Sequence, residues 1–206
     1  MDISTLSLFI PTFLIVAVTP GINMTLAMVL GMTIGVRKTM WMMYGEIIGV
    51  AIIAILAIVG VAKLMIAYPL IFDCFKLLGA AYLAYIGLQL WRSKGKISFT
   101  ENIEVPTSTN YQLFSQGLIT ALVNPKGWAF MVSLLPPFIN PDKSILLQLT
   151  VLTFIIMCCE FTCMLMYASG GKSLKHFLKH TKNVKTMNRI SGSIMLLIAL
   201  WLALGK

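Results

Sequence analysis

Charged residues are scarce in this chain. They make up 11% of its 206 residues, where an ordinary soluble domain carries about a quarter. A solvated globular surface is excluded, and the mean hydropathy of +0.89 describes a protein that lies mostly within a bilayer. Histidine is scarcer still, with only His176 and His180. Their spacing of four could hold a metal on a helix, but amid so many lysines they read as part of a solvated basic loop. The four cysteines, Cys74, Cys158, Cys159 and Cys163, form no C-x-x-C pair. They serve as small apolar side chains, with no disulfide framework and no zinc site expected. There is no nucleophile–base pair, Walker loop or haem motif, so neither an enzyme nor a cofactor is expected. No basic n-region precedes the first apolar run, so no cleavable leader is expected.

Long apolar runs are abundant. Six can be drawn, at roughly 5–34, 40–66, 70–91, 112–138, 144–168 and 188–205, each long enough to span a membrane at ~1.5 Å per residue. The fold class is therefore all-α, a polytopic membrane protein with six transmembrane helices. The first and fourth runs are longer than a span needs, which predicts a break or strong tilt in each.

The formal net charge of +9 could suggest nucleic acid, but its placement argues otherwise. Eleven of the sixteen basic residues fall in three connections: Arg37 and Lys38; Arg92, Lys94 and Lys96; and Lys172, Lys175, Lys179, Lys182, Lys185 and Arg189. These are topology signals facing anionic lipid headgroups, and no nucleic-acid partner is expected. The bias puts the three connections in the cytoplasm and both termini outside.

The polar stretch 92–111 divides the chain into halves of three spans, 1–91 and 112–206, within one domain covering 1–206. Three is odd, so the halves run in opposite orientations, a recurrent transporter plan. A weak echo supports the division. The first run carries Thr19-Pro20-Gly21-Ile22-Asn23 and the fourth Asn124-Pro125-Lys126-Gly127.

Both stretches predict interrupted helices. Proline removes a backbone donor and clashes with the preceding turn. The backbone groups this frees cannot be satisfied by lipid, so each break must face protein or a wet cavity. A single such break is an ordinary structural kink, whereas one in each half points to a site between them. Asn23 and Asn124 can hydrogen-bond a ligand or freed backbone groups. Lys126 lies just beyond the second break, where a cation is costly and marks a pathway or a partner. Glu46 in the second run and Glu160 in the fifth fall at similar depth. Burial penalises a charged carboxylate, so either could exchange a proton near neutral pH. A closed structural pair, such as Lys126 with Glu160, remains open. Lys76 and Asp73 read as an interfacial pair.

Gly31, Gly35, Gly45 and Gly49 predict close packing of the first two spans, and Gly79, Ala80 and Gly87 serve the third. Tyr82 and Tyr85 read as packing or interface residues. Trp41 and Trp91 mark cytoplasmic boundaries.

These pieces resemble the LysE/RhtB family of small bacterial amino-acid exporters. Pro20-Gly21-Ile22-Asn23 with the glycines at 31, 35, 45 and 49 is similar to that family's opening Pro-Gly-Pro-Asn pattern. The run from Lys76 to Gly87 resembles its third-span signature. Gly117 to Phe138, with Asn124-Pro125-Lys126-Gly127 and a Leu-Pro-Pro-Phe end, resembles its fourth. Two positions depart. Ile22 replaces a second proline. Val50 stands where many relatives carry an acidic residue, and Glu46, on the same helix face, is the candidate to substitute.

The resemblance implies a multi-pass exporter of the bacterial cytoplasmic membrane that moves amino acids or close derivatives by proton-driven alternating access. Pro20, Gly21, Asn23, Asn124, Pro125 and Lys126 would form the substrate site, and Glu46 and Glu160 would couple protons or pair with the lysine. Its partners would be a small amino acid, protons and membrane lipid; a homo-oligomer stays open. Two other classes also stay open: an inorganic-ion exporter of the same plan, and a non-transporting membrane subunit or redox relay.

Overall fold

A computed structural model describes residues 3–95, 109–135, 138–140 and 142–204. Among them there is no strand, and eight α-helices account for nearly all residues: α1 (Ile3–Val18), α2 (Ile22–Ile34), α3 (Val36–Ala67), α4 (Pro69–Arg92), α5 (Asn110–Leu122), α6 (Pro125–Leu134), α7 (Ile145–Lys179) and α8 (Thr181–Leu204). Among the described residues, Val36–Gly60 of α3 and Ile145–Gly171 of α7 are each long and apolar enough to cross a membrane. Thr5–Val18 and Ile22–Ile34 of α1 and α2 meet the same test together but are bent by 60° at their break, the geometry of a broken span or a re-entrant loop.

Local chemistry sets the helix ends. Pro69 and Pro125 open α4 and α6, where a missing N–H costs nothing and the fixed φ suits the first turn. Thr109 and Gln112 form a reciprocal cap on α5, with Thr109 N–H donating to Gln112 Oε1 at 2.8 Å. Gly35, at φ +82°, lets the chain turn from α2 straight into α3. Gly171, at φ +44°, bends α7 near its end.

Both interruptions expected from proline are present. The first helix stops at Val18 and resumes at Ile22; the later one stops at Leu122 and resumes at Pro125. The basic loop expected after the fifth apolar run is helical instead. α7 continues to Lys179 and α8 starts at Thr181. A lysine-rich stretch looks like a loop by hydropathy, but lysine is a good helix former. His176 and His180 thus lie on the last turn and cap of α7, exposed, with Nε2 atoms 3.4 Å apart.

The glycines pack differently from the expectation. Gly45 and Gly49 of α3 lie against α5, facing the Phe114 carbonyl and Ala121, and Gly117 of α5 faces the Met42 carbonyl. Gly31 packs on Ala168 of α7. A Cβ on Gly87 of α4 would come within 2.9 Å of the Gly192 carbonyl oxygen on α8. Each small residue therefore admits a helix distant in sequence, because backbones can approach this closely only where Cβ is missing. The closest helix pairings are α3 with α5, α4 with α8, and α2 with α7.

Tyr82 and Tyr85 are exposed, with Tyr85 OH accepting from Gln89 Nε2 at 2.6 Å. Trp41 and Trp91 are also exposed. The Asp73 and Lys76 side chains, and residues 96–108 of the connection between halves, lie outside the described set.

Candidate functional site

Both interruptions open onto one cavity of about 70 Å³. By that measure one water occupies ~10–15 Å³, so about five waters fit. Asn23, in the first turn of α2, reaches across to α3. Its Nδ2 donates to Glu46 Oε1 at 2.7 Å. Glu46 is fully buried. Two acceptors beside this bond, Asn23 Oδ1 and Glu46 Oε2, are buried without a donor among the described residues. A buried polar atom left unmatched is costly, and an ammonium group, a proton or water would each match such acceptors. Asn124 at the second break and Glu160 on α7 line the same cavity, as do Thr19 and Gly21.

Of the residues expected at the site, Gly21, Asn23, Asn124, Glu46 and Glu160 are brought together. Pro20 lies within the first break and Pro125 starts α6. The backbone of Lys126 is in the first turn of α6, and its side chain lies outside the described set. The first turn of α2 has N–H groups with no acceptor within its own helix. At the start of α6, Pro125 has no N–H, and Gly127 and Trp128 donate theirs to Asn124 O at 3.1 and 3.3 Å.

Each break has a carbonyl held by an aromatic side chain. Tyr167 OH donates to Val18 O at 2.8 Å, and Trp128 Nε1 donates to Leu122 O at 2.8 Å. Thr19 Oγ1 lies 2.6 Å from Ser191 Oγ, tying the first break to α8. None of these contacts was foreseen. For Trp128 the available signal was an indole donor within a few residues of the second break; Tyr167, 149 residues from Val18, gave none.

Among the described residues no three His, Cys, Asp or Glu side chains gather where a metal ion could sit. Cys159 and Cys163 are buried, Cys74 and Cys158 exposed, and all four are free thiols.

The chain is 31% identical over 155 residues to a homoserine/homoserine lactone efflux protein of Salmonella typhimurium, covering 75% of this chain and 74% of that protein. It is 26% identical over 211 residues to an uncharacterized membrane protein of Vibrio cholerae, spanning the full length of both. A leucine efflux protein of Salmonella choleraesuis is 38% identical over 96 residues, 45% of this chain and 43% of that protein. No solved structure matches the chain. The model of the LysE type translocators matches residues 14–206, and the chain belongs to that family.

Proposed function

We propose that this translocator exports amino acids or close derivatives across the bacterial cytoplasmic membrane by proton-coupled alternating access. It is a transporter rather than an enzyme, and the names of its relatives support an amino-acid cargo. Six spans make up one domain: α1 with α2, α3, α4, α5 with α6, α7, and α8. They form two inverted halves, with both termini outside.

The packing supports this plan. Exchanging the halves swaps α3·α5 with the contacts of α7 on the first span. It maps α4·α8 and α3·α7 each onto itself, and α3·α4 onto α7·α8, while α2·α3 has no counterpart of similar extent between α7 and α5 or α6 among the described residues. A two-fold related pair of halves can rock about a central site.

One observation carries the reading. A fully buried carboxylate and an amide, bonded at 2.7 Å, each keep an acceptor unmatched among the described residues, and both residues line a cavity shared by two helix breaks. The substrate ammonium sits on Asn23 Oδ1 and Glu46 Oε2. Its carboxylate sits toward the first turn of α2, with Lys126 supplying positive charge. Glu46 or Glu160 takes up the proton that is exchanged for substrate.

The test is efflux from dipeptide-loaded cells across a panel of amino acids. Intact protein is expected to lower the intracellular level of at least one. Asn23→Ala and Lys126→Ala are expected to lose at least about tenfold in rate, the usual cost of removing one charge-assisted contact. A Lys126→Ala carrier working at full rate would show the lysine to be structural, and full activity of Asn23→Ala would remove the site.

A further inference from the structure

The cavity has a polar end and an apolar end. On α3, Ile53 lies seven residues beyond Glu46, about 10 Å along the axis at ~1.5 Å per residue. Phe130 and Met131 lie a similar distance beyond Asn124 along α6. On α1, Phe13 lies six residues from Thr19 in the direction away from the first break. All seven of these residues line the cavity.

The apolar members converge. The Phe13 and Phe130 rings meet edge to face, with centroids 6.1 Å apart. Gly127, one turn before Phe130, places its missing Cβ 3.9 Å from Ile53 Cδ1. Phe13, Ile53, Phe130 and Met131 are each at most 3% exposed. Behind Phe13 the rings continue through Phe9 and Phe138 to Trp201, with centroids 5.0 to 6.0 Å apart. No described side chain at this end carries a charge.

We infer that this apolar end receives the side chain of the cargo, so that the carrier selects amino acids with aliphatic or thioether side chains, such as leucine and methionine, over hydroxylated or cationic ones. The inference rests on the amino-acid reading above. With the ammonium fixed at Asn23 and Glu46, the side chain enters the Phe13–Ile53–Phe130–Met131 end of the cavity. A lysine side chain there sheds its hydration and meets no counter-charge among the described side chains of this end. A homoserine hydroxyl sheds its water and finds no partner among them. Each methylene that leucine buries and homoserine lacks adds further discrimination. Met131 is unbranched and can adapt to different apolar shapes.

The experiment uses purified full-length protein in liposomes, each preloaded with one amino acid and assayed for exchange of the same labelled compound. Leucine and methionine are expected to exchange at least about tenfold faster than homoserine and lysine. If homoserine or lysine exchanges at leucine's rate, this inference is overturned while the export reading stands. If no amino acid exchanges, the export reading fails and this inference falls with it. Ile53→Thr and Met131→Gln each place a hydrogen-bonding group at the apolar end. Either one, recovered monodisperse in detergent, is expected to reduce the leucine-to-homoserine ratio about tenfold. An unchanged ratio in a folded variant overturns the assignment of the subsite.

Discussion

The hydroxyl of Tyr167 donates to the backbone carbonyl of Val18 across 2.8 Å, joining α7 to the last turn before the first helix break. Trp128 does the same for Leu122 at the second break, also at 2.8 Å. Breaking a helix in an apolar setting frees carbonyls that lipid cannot satisfy. Here two aromatic donors on different elements meet that need, one per break. Tyr167→Phe keeps the ring and removes only the donor. It is expected to lower stability by about 1–3 kcal/mol, the cost of leaving a buried acceptor unmatched. The thermal unfolding midpoint of the purified protein in detergent measures this. A midpoint equal to the parent's would show that the Val18 carbonyl is satisfied another way.

Glu46 can be tested for proton coupling apart from structure. Glu46→Gln keeps an oxygen able to accept from Asn23 Nδ2, the bond that measures 2.7 Å in the parent, but cannot titrate. Exchange between equal substrate pools is expected to persist at a reduced rate in this variant, because an amide nitrogen replaces the Oε2 acceptor of the ammonium, while acceleration of export by a pH gradient is lost. Glu46→Ala, which removes the acceptor as well, is expected to lose both. Liposome flux with and without an imposed gradient separates the outcomes. Gradient-driven export by Glu46→Gln would transfer the coupling role to another group.

Much of this arrangement could be read in the residues, and the part that could not has a common cause. Pro20 and Pro125 announce their breaks because proline acts on its own backbone, within one turn. Asn23 and Glu46 stand out as polar groups in apolar runs. That the two are bonded to each other is a contact between helices, and helical periodicity says nothing about which face meets which. The same limit misplaced the glycines. Their spacing correctly indicates close approach, yet Gly45 and Gly49 admit α5 and Gly31 admits α7, not one another. The helical course of 172–189 was hidden because a hydropathy reading equates lysine with loop, although only Gly171 actually departs from helical angles inside α7.

The glycine contacts predict a sharp contrast between two similar substitutions. A methyl group on Gly117 would run into the Met42 carbonyl, part of a helical backbone that cannot step aside. Gly117→Ala is expected to cost about 3 kcal/mol, the upper range for overpacking, and to lower the yield of folded protein. Gly60→Ala, also within a helix, meets nothing within 4 Å. It is expected to be neutral or to stabilise by up to ~1 kcal/mol through helix propensity. Fluorescence-detected size exclusion of the two variants makes the comparison.

Thiol accessibility offers a check on burial and on the relay alternative together. Cys74 and Cys158 are exposed, whereas Cys159 and Cys163 are buried. A maleimide applied to the folded protein in detergent is expected to label Cys74 readily, Cys158 slowly because it lies mid-way along the apolar Ile145–Gly171 stretch, and all four only after denaturation. Flux that survives labelling of the exposed pair would argue against a redox relay through them. Rapid labelling of Cys163 in the folded state would contradict its position.

The helix pairings bear on how the molecule is made. α3 packs most closely on α5, α4 on α8 and α2 on α7, so the principal partner of each of these elements is translated later than the element itself. As the ribosome releases α1 to α4, the contact faces of Gly31, Gly45, Gly49 and Gly87 have nothing to rest against. Those helices must wait for their partners until synthesis passes the 92–111 connection. A chain arrested before α5 is therefore a substrate for membrane quality control, and the two halves expressed as separate polypeptides should survive only when both are present.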